Sequence, residues 1–504
     1  MAAASSGQPV LAPVFTDHMV LQRDAALPFW GTAPAGEEVA VSLGGTSVSG
    51  FADAQGKWKI TLPARPASAE PQTVTVSLQG QVKVTLTDVL LGDVWLCAGQ
   101  SNMEFRCNQE SSWATEQASA GMPHLRLYNM GYAGQGIGAT AYPATIVARQ
   151  TPGDFYHAAT WTASTAASAA TFSAVGYFFG KEILNSQHVP IGLIHCAVGG
   201  SPAEAWMRLT ILPAALTTPN WTANNTSLEP WCNGRALVQL GANLATAPGD
   251  DMGPHHSFQP GFLWSAGPAR LLPYAIRGVV WYQGESNALS HIGEPGVSDP
   301  AWRVRQHGTL FPALVKDWRA QWGQGDFPFL ICQLSSIGET SYDSHFWPEF
   351  RDQQRRALTT VPNTGLAVTS DLGHASNVHP ANKRDVGLRL ARWAQRYVYG
   401  DASALPCPLP QRATREGSAV TVTFLHSGPA LSTSNAQPPA AIELAGPDGL
   451  WHPATVTLHG PTLTASSPSV PQPTRIRYAW QPFSQGNLTN AAGLPASTFA
   501  LTVE

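Results

Sequence analysis

A serine directly follows a hydrophobic run in the stretch VWLCAGQSNMEF, residues 94–105. The run is apolar up to Cys97, and Ala98-Gly99-Gln100 are small or polar, which is typical of a buried strand that ends in a turn. Ser101 at this point can cap the first turn of a helix. It can equally expose its hydroxyl as the nucleophile of an acyl-transfer reaction. The stretch taken alone leaves both interpretations open.

Three further strand-like runs end in polar or small residues that could do chemistry. GLIHCAV is followed by Gly199-Gly200-Ser201, where small residues let backbone N–H groups point at a bound anion. RGVV leads into WYQGESNA, a short loop that carries Gln283, Glu285 and Asn287. SDLGHASNVHP brings His379 to a loop that precedes a helical stretch. In an open α/β sheet, such loops gather at the carboxyl ends of the strands.

Ester hydrolysis by a serine needs three kinds of partner. An imidazole takes the hydroxyl proton, hydrogen-bond donors stabilise the oxyanion, and a carboxylate fixes the tautomer of the histidine. Each motif also has an ordinary explanation: a Gly-Gly pair is a turn, a His-Pro pair is a helix boundary, and His374 is a second histidine on the same loop. The joint occurrence of all the required groups at four strand ends favours an enzyme.

The elements that would position these loops divide the chain into three segments. Residues 1–88 contain short alternating runs such as EEVAVSL and KWKITL, which predict an N-terminal β-sandwich-like domain. Residues 89–400 alternate apolar strands with helical stretches such as NKRDVGLRLARWAQRYV, which predicts an α/β domain with a mostly parallel sheet and helices on both faces. Residues 401–504 return to short β runs and predict a C-terminal β domain.

The least regular region of the α/β segment is about 208–262, which includes TTPNWTANNTSLEPWCNGR. Loops of this length in a compact domain are commonly functional or disordered. Because the region lies between two central strands, we expect it to overhang the carboxyl edge of the sheet.

Composition excludes two kinds of partner. Charged residues make up 12% of the 504 residues and the net charge is −4, with no basic run, so nucleic acid is not a predicted partner. No stretch approaches the roughly 20 apolar residues of a membrane helix, so no membrane partner is predicted.

The 17 tryptophans suit either large cores or stacking on sugar rings. Of the six cysteines, Cys97, Cys196 and Cys332 lie in apolar runs and are predicted to be buried, whereas Cys107, Cys232 and Cys407 could pair.

The motifs resemble those of the sialate O-acetylesterase family, within the wider SGNH (GDSL-like) hydrolases. The resemblance covers about residues 11–500, and its most specific stretches are GDVWLCAGQSNMEF, PIGLIHCAVGGSPAEAW, PYAIRGVVWYQGESNA and HPANKRDVGLRLA. It implies a flavodoxin-like parallel sheet and removal of O-acetyl groups from a carbohydrate, without metal or cofactor. It also implies that Ser101 is the nucleophile, that His379 is the general base, and that Gly200 and Gln283 are oxyanion donors. Asn287 is the alternative donor, or it makes a structural hydrogen bond within its loop.

The chain departs from the family pattern at the acid. Many relatives carry an aspartate three residues before the histidine, where this chain has Ser376 in SNVHP. Glu285 is the first candidate replacement, because in an extended loop its side chain points to the same side as that of Gln283, and resembling acetylesterases use that glutamate. Asp371 is the second candidate, and a Ser–His dyad with a backbone carbonyl behind the imidazole is the third.

The residues therefore predict a serine esterase. The resemblance implies a carbohydrate O-acetylesterase that acts on sialic acids or on acetylated plant polysaccharide such as xyloglucan or xylan. The alternative is a catalytically weak carbohydrate-binding or adhesion protein on an SGNH scaffold. An O-acetylated glycan is the expected partner, and the oligomeric state stays open. We expect a periplasmic or secreted protein, although MAAASSGQPVLAP contains no recognisable signal peptide.

Overall fold

The computed structural model describes residues 9–212, 234–289, 301–339 and 343–504. They form a mixed α/β protein with a mixed sheet and several smaller β-sheets. Two compact units are distinguished. The first contains residues 1–99, 103–280 and 317–327, and the second contains residues 100–102, 281–316 and 328–504. Residues 213–233 of the predicted irregular region, and Cys232 with them, lie outside the described part of the chain.

The strands of the first unit are numbered in chain order, and β14 begins in this unit and ends in the second. Strands β1 to β14 are Val10–Leu11, Val20–Gln22, Leu27–Thr32, Glu38–Leu43, Thr46–Phe51, Lys57–Leu62, Ser68–Leu78, Gln81–Gly99, Met122–Asn129, Trp161–Ser164, Ile191–Ala197, Gly249–Asp250, Gly253–Pro254 and Gly278–Tyr282.

The strands of the second unit follow. Strands β15 to β26 are Phe329–Cys332, Thr364–Ala367, Leu409–Glu416, Ala419–Leu425, Ser432–Thr433, Ile442–Ala445, Trp451–Pro453, Thr455–His459, Thr462–Ser466, Arg475–Tyr478, Leu488–Thr489 and Phe499–Thr502.

The α-helices are also numbered along the chain. Helices α1 to α11 are Ser101–Glu104, Trp113–Glu116, Ala144–Val147, Ala166–Ala170, Ala174–Gln187, Gly234–Leu240, Phe262–Ala266, Pro268–Leu271, Trp302–Trp322, Trp347–Thr360 and Arg384–Tyr397. Short 3₁₀ turns are found at Cys107–Gln109, Gln117–Ser119, Ala203–Trp206, Leu209–Ile211, Gly241–Thr246 and Ser370–Leu372. None of the helices within the described ranges has the length and apolar character needed to span a membrane.

In the first unit, β8 organises the main sheet. It pairs in parallel with β11, which in turn pairs in parallel with β9, while β10 closes this edge antiparallel to β9. The last eleven residues of β8, from Val89 to Gly99, are all buried, which is the hydrophobic run expected of a central parallel strand. The same strand starts at Gln81 and pairs there with β7, so it continues without a break across residue 88.

In the second unit, the end of β14 is followed in the sheet by β15 and β16, and β15 pairs with β16 in parallel. Its C-terminal part contains two four-stranded sheets in the orders β17-β18-β23-β22 and β21-β20-β24-β26, whose neighbouring strands pair antiparallel. The inward side chains of these strands, including Val420, Val422, Leu444 and Phe499, form a common core.

The predicted strands and helices that carry the candidate site are present. The run IGLIHCA is strand β11, FLIC is strand β15, and RDVGLRLARWAQRY is helix α11. Cys97, Cys196 and Cys332 are fully buried as predicted. Cys107 and Cys407 are also buried, and both are free thiols rather than members of a disulfide. The division into segments 1–88, 89–400 and 401–504 stays a prediction.

Candidate active site

Ser101 and His379 are in direct contact within the second unit. Ser101 is the first residue of helix α1, and its Oγ lies 2.8 Å from Nε2 of His379. Both side chains are half-buried. The preceding residue is fixed by the backbone, because the N–H of Gln100 donates to the carbonyl of Tyr282 at 2.9 Å. The serine therefore stands at a helix start with an imidazole in hydrogen-bond contact with its hydroxyl.

The loop that carries His379 turns tightly before helix α11. The backbone N–H of His379 donates to Oδ1 of Asn377 at 2.9 Å, an arrangement in which a side-chain oxygen replaces a backbone turn acceptor. The second histidine of this loop, His374, is exposed, and its Nδ1 accepts from the N–H of Ser376 at 3.1 Å. His379 is thus the histidine of this loop that contacts Ser101.

Asn102, the residue after the serine, connects two loops of the second unit. Its side chain is fully buried, and Nδ2 donates to Oε1 of Glu285 and to the carbonyl of Val378, the latter at 3.0 Å. Val378 immediately precedes His379. Asn102 therefore joins the Ser101 segment to the Glu285 loop and to the backbone of the histidine loop.

Lys383 completes this network from the start of helix α11. Its side chain is fully buried, and Nζ donates to Oδ1 of Asn102 at 2.5 Å and to the carbonyl of Pro380 at 2.7 Å. The Nζ atom also lies 5.8 Å from the centre of the Tyr282 ring, within the range of a cation–π interaction. The residues on either side of His379 are therefore both held through their carbonyl groups.

Glu285 is buried and bonds to Asn102 rather than to His379. Its Oε2 has no hydrogen-bond partner among the described residues. Removal from water raises the pKa of the Glu285 carboxyl, and the opposing effects of the Asn102 hydrogen bond and the Lys383 charge are smaller. Glu285 is thus connected to the histidine loop through the side chain of Asn102.

Gln283 and Asn287 form a hydrogen-bonded group around Gln100. Nε2 of Gln283 donates to Oδ1 of Asn287 at 2.6 Å and to Oε1 of Gln100 at 3.2 Å. Oε1 of Gln100 also accepts from the N–H groups of Gly284 and Ser286, at 3.3 and 3.2 Å. The amide of Gln283 thus has one acceptor in its own loop, Asn287, and one in the segment before Ser101, Gln100. Asn287 makes the structural hydrogen bond that was its alternative role.

The Gln283 loop requires glycine at position 284. A Cβ atom there would lie 2.6 Å from Cε1 of Phe350 and 3.0 Å from Cδ2 of Leu334, both closer than a carbon–carbon contact allows. The glycine therefore lets the loop pass against the phenylalanine ring.

Asp371, the second candidate acid, has a different partner. Its two carboxylate oxygens accept from Nη1 and Nη2 of Arg389 at 2.6 and 2.7 Å, a bidentate ion pair. Nη1 of Arg389 also donates to the carbonyl of Val368 at 2.6 Å. The pair joins the loop after β16 to helix α11, so its contacts are those of a structural brace.

Gly200 belongs to the first unit, in the turn after β11. The N–H of the preceding Gly199 donates to Oε2 of Glu104 at 2.8 Å, and the same carboxylate accepts from the hydroxyl of Tyr132 at 3.0 Å. Gly200 has a φ of 79°, in the left-handed region that favours glycine. The turn is therefore held by a carboxylate that sequence reasoning did not single out.

The residues that sequence reasoning missed are Gln100, Asn102, Glu104 and Lys383. Gln100 and Asn102 flank the serine in GQSNM, and Lys383 follows the histidine in HPANK, so their position beside the candidate groups was the available signal. Chemically, a serine hydroxyl against an imidazole can carry out nucleophilic acyl transfer. No group of three or more potential metal ligands is found within the described ranges.

Comparison with known proteins identifies similar chains. The family profile described as carbohydrate esterase, sialic acid-specific acetylesterase, matches residues 91–216 and 266–396, slightly more than half of the chain. The human sialate O-acetylesterase is 29% identical over 441 residues, which cover 80% of this chain and 73% of the human one. The mouse sialate O-acetylesterase is 27% identical over 438 residues, 80% of this chain and 76% of its own.

A solved structure is similar over almost the entire length. The crystal structure of a carbohydrate acetylesterase from Xanthomonas citri matches with a TM-score of 0.77 and 32% identity. The match covers 98% of this chain and 99% of that one, so the fold and the order of elements are shared from end to end.

Proposed function

Because this chain belongs to the sialic acid-specific acetylesterase family of carbohydrate esterases, we propose that it removes O-acetyl groups from a glycan with Ser101 as nucleophile and His379 as general base. As a member of this family the protein is a carboxylic ester hydrolase whose substrate is an acetylated carbohydrate. The observation that carries the assignment of residues is the 2.8 Å contact between Ser101 Oγ and His379 Nε2.

In the first half of the reaction, Oγ of Ser101 attacks the acetyl carbonyl while Nε2 of His379 takes the hydroxyl proton. The tetrahedral intermediate collapses, the bond to the sugar oxygen breaks, and His379 returns the proton to that oxygen. The products of this step are a free sugar hydroxyl and an acetyl-serine.

In the second half, His379 removes a proton from water, which attacks the acetyl-serine. Collapse of the second intermediate releases acetate, and the proton returns to Oγ of Ser101. The same imidazole acts in both halves, so its position relative to the serine matters twice in each cycle.

Asn102 and Lys383 are the residues we assign to positioning. Asn102 holds the carbonyl of Val378 and Lys383 holds the carbonyl of Pro380, which fixes the backbone around His379. Glu285 contributes by accepting from Asn102. We thus propose that Glu285 acts on the backbone of the histidine loop, and that Asp371 braces helix α11.

For the groups that donate hydrogen bonds to the oxyanion, we keep the candidates that the sequence motifs indicate. Gly200 and the amide of Gln283 are our candidates, with Asn287 as the alternative. For Gln283 to donate to an oxyanion, one of its amide protons must leave Asn287 or Gln100 when substrate binds.

Two substrate classes fit the family. Relatives named sialate O-acetylesterase point to O-acetylated sialic acids, and the relative from Xanthomonas citri is named more broadly for carbohydrates. We propose an O-acetylated glycan and take acetylated xyloglucan or xylan as the candidate beside sialosides. Mass spectrometry of acetate release from a panel of the three distinguishes them.

We further propose the SGNH-type parallel sheet, with an N-terminal β domain at 1–88, the catalytic domain at 89–400 and a C-terminal β domain at 401–504. The parallel pairs β8–β11, β9–β11 and β15–β16 support such a sheet. A periplasmic or secreted location follows from a polysaccharide substrate and is proposed with it.

Hydrolysis of p-nitrophenyl acetate tests the mechanism. Ser101→Ala and His379→Ala each remove one half of the proposed pair, and we expect kcat/KM to fall by roughly 10³-fold or more. His374→Ala is the matched control, because it removes an exposed histidine from the same loop. If Ser101→Ala turns over substrate at the rate of the unaltered protein, the serine mechanism is wrong.

A further inference from the structure

A groove in the second unit is lined by none of the residues of the candidate active site. It has a volume of about 340 Å³, which falls within the range of small-molecule sites. One wall is a face of helix α10, and the other is formed by strands β21, β24 and β26 of the C-terminal sheet. The residues that matter most for its chemistry are Glu349, Gln353, Trp451, Arg475, Arg477 and Trp480.

The helical wall contains both anchoring and unused polar groups. Glu349, Asp352, Gln353 and Arg356 occupy one face of α10, because they are spaced by three or four residues. Asp352 accepts from the N–H of Ala500 at 3.3 Å, and Nη2 of Arg356 donates to the carbonyl of Ala500 at 3.3 Å, so these two residues attach the helix to β26. Within the described part of the chain, neither Glu349 nor Gln353 makes a side-chain hydrogen bond.

Glu349 is the more informative of the two. Its side chain is half-buried, and the loss of water around it raises the pKa of the carboxyl. A carboxylate that is partly desolvated without a donor is costly, whereas a ligand hydroxyl that donates to it recovers that cost. Glu349 therefore has the surroundings of a ligand-binding acceptor.

The opposite wall offers indole surfaces. The guanidinium carbon of Arg477 lies 4.3 Å from the centre of the Trp451 ring and 6.0 Å from that of Trp480. Nε of Arg477 also donates to Oε2 of Glu443 at 2.7 Å, which fixes the guanidinium and the ring that it covers. Both tryptophans are partly exposed. The area of each indole that the guanidinium groups leave exposed is a surface on which the C–H face of a pyranose ring can pack.

The groove carries charges of both signs, and with their ion-pair partners they amount to four arginines against three carboxylates. Asp352 is paired with Arg355 and Arg356, and Arg477 is paired with Glu443. Glu349 and Arg475 remain, one negative and one positive. The guanidinium of Arg475 lies over Trp451 at 5.2 Å and makes no hydrogen bond to a described residue. A neutral ligand rich in hydroxyl groups can use the carboxylate, the amide and the guanidinium together. An anionic sugar would meet the carboxylate of Glu349 against an excess of a single positive charge.

From this juxtaposition of two indoles with an unpaired carboxylate, amide and guanidinium, we propose that the groove is a second, non-catalytic binding site for a neutral polysaccharide chain. The inference rests on the proposed function in one respect, namely that the bound chain is the backbone of the glycan from which acetyl groups are removed. The site would keep the enzyme on its polymer between successive hydrolysis events.

Affinity electrophoresis of the full chain in gels containing unacetylated xyloglucan or xylan tests the proposal. Because these probes contain no ester, the groove is measured apart from turnover. We expect the polysaccharide to retard the unaltered protein, and Trp451→Ala with Trp480→Ala to abolish the retardation. Glu349→Ala and Arg475→Ala remove side chains without hydrogen bonds to described residues, so they should fold normally and weaken binding about tenfold. Phe51→Ala, which removes an exposed aromatic residue of the first unit, is the control.

The outcomes separate the groove from the catalytic proposal. The groove assignment is wrong if neither polysaccharide retards the unaltered protein, or if the groove variants are retarded as strongly as it is. It is also wrong if the variants lose binding to sialyllactose but not to xyloglucan or xylan, since an anionic ligand is then indicated. Turnover of p-nitrophenyl acetate should be unchanged in every groove variant, and only its persistence in Ser101→Ala counts against the serine mechanism.

Discussion

The ammonium group of Lys383 donates to the side-chain oxygen of Asn102 at 2.5 Å, next to Ser101 in the chain. The same ammonium holds the carbonyl of Pro380, and the amide of Asn102 holds the carbonyl of Val378. His379 lies between those two carbonyl groups. A buried lysine–asparagine pair therefore couples the backbone of the serine segment to the backbone on both sides of the histidine.

We expect Lys383→Met to slow hydrolysis by about 10- to 100-fold, because a positioning error near 1 Å has that effect on a catalytic pair. Methionine preserves much of the buried volume but leaves Asn102 Oδ1 and the Pro380 carbonyl without their donor. The loss should appear in kcat for p-nitrophenyl acetate, since the lysine does not contact substrate in this assignment.

A double-mutant cycle between Lys383 and Asn102 tests this role more sharply than the single variant does. If Lys383 acts through Asn102, the double variant Lys383→Met with Asn102→Ala should be little worse than either single variant. Lys316→Met, which alters an exposed lysine of helix α9, should leave kcat unchanged. Additive losses would show that the two residues act independently.

Glu285→Gln should change the dependence of stability on pH. The folded state raises the pKa of this carboxyl above the 4.5 of an exposed glutamate, so the folded protein binds this proton more tightly than the unfolded chain. The contribution of Glu285 is therefore favourable at low pH and is lost as pH rises from about 4.5 through the raised value. Glutamine keeps an oxygen for Asn102 and carries no charge. The Tm of the variant minus that of the unaltered protein should therefore increase as pH rises.

Thermal unfolding at a series of pH values between 4.5 and 8 measures that difference. A constant difference would mean that the favourable effects of Asn102 and Lys383 on the carboxylate cancel the penalty of burial. A difference that falls with pH would mean that they exceed it. Activity gives a second readout: a charge effect on His379 shifts the pH profile of kcat, whereas a purely structural role leaves the profile in place.

The sequence predicted the groups of the candidate site better than their partners. Strand ends are readable because a buried run such as VWLCA stops at small residues, and the same logic located His379 and the Gln283 loop. Lys383 was not predicted, because a lysine at a helix start is ordinarily solvated and its burial depends on Asn102, which is 281 positions away. Glu285 was expected behind the imidazole, but spacing within a loop does not determine which neighbour an oxygen reaches.

Continuity of strand β8 was equally hard to predict. The polar residues of its first half suggest an edge or surface strand, and the apolar second half suggests a central one. The structure joins both in one strand of 19 residues, since backbone pairing continues through the change in composition. The local pattern of polar and apolar residues indicates the environment of each half of β8. It does not indicate that the two halves form a single strand.

Asp371→Asn should lower stability while leaving the catalytic pH profile unchanged. Its carboxylate forms a bidentate pair with Arg389, whose side chain is mostly buried, so the variant leaves that guanidinium without its counter-charge. Because Asp371 itself is partly exposed, we expect a cost of about 1 kcal/mol. Differential scanning fluorimetry and a pH series of kcat check both parts. A loss of kcat comparable to that of His379→Ala would return Asp371 to the role of the orienting acid.

Three buried histidines should make the protein labile in acid. Burial lowers the pKa of His195 to about 4 and those of His256 and His307 to about 3, from 6.5. Since the unfolded chain binds these protons first, stability is fully present above pH 6.5 and is lost as pH falls, by about 1.4 kcal/mol per pH unit for each histidine. The Tm should therefore fall steeply between pH 6.5 and 4.

His256 offers the variant that isolates this effect. Its Nδ1 accepts from the N–H of Phe258 at 3.1 Å, so protonation there would break a buried hydrogen bond. His256→Gln should lower the Tm at neutral pH, because the ring contacts are lost, yet reduce the slope of Tm against pH by about one third, because one of the three titrating groups is gone. His124→Gln, at an exposed position, should alter neither quantity. An unchanged slope in His256→Gln would mean that the acid lability originates in carboxylates instead.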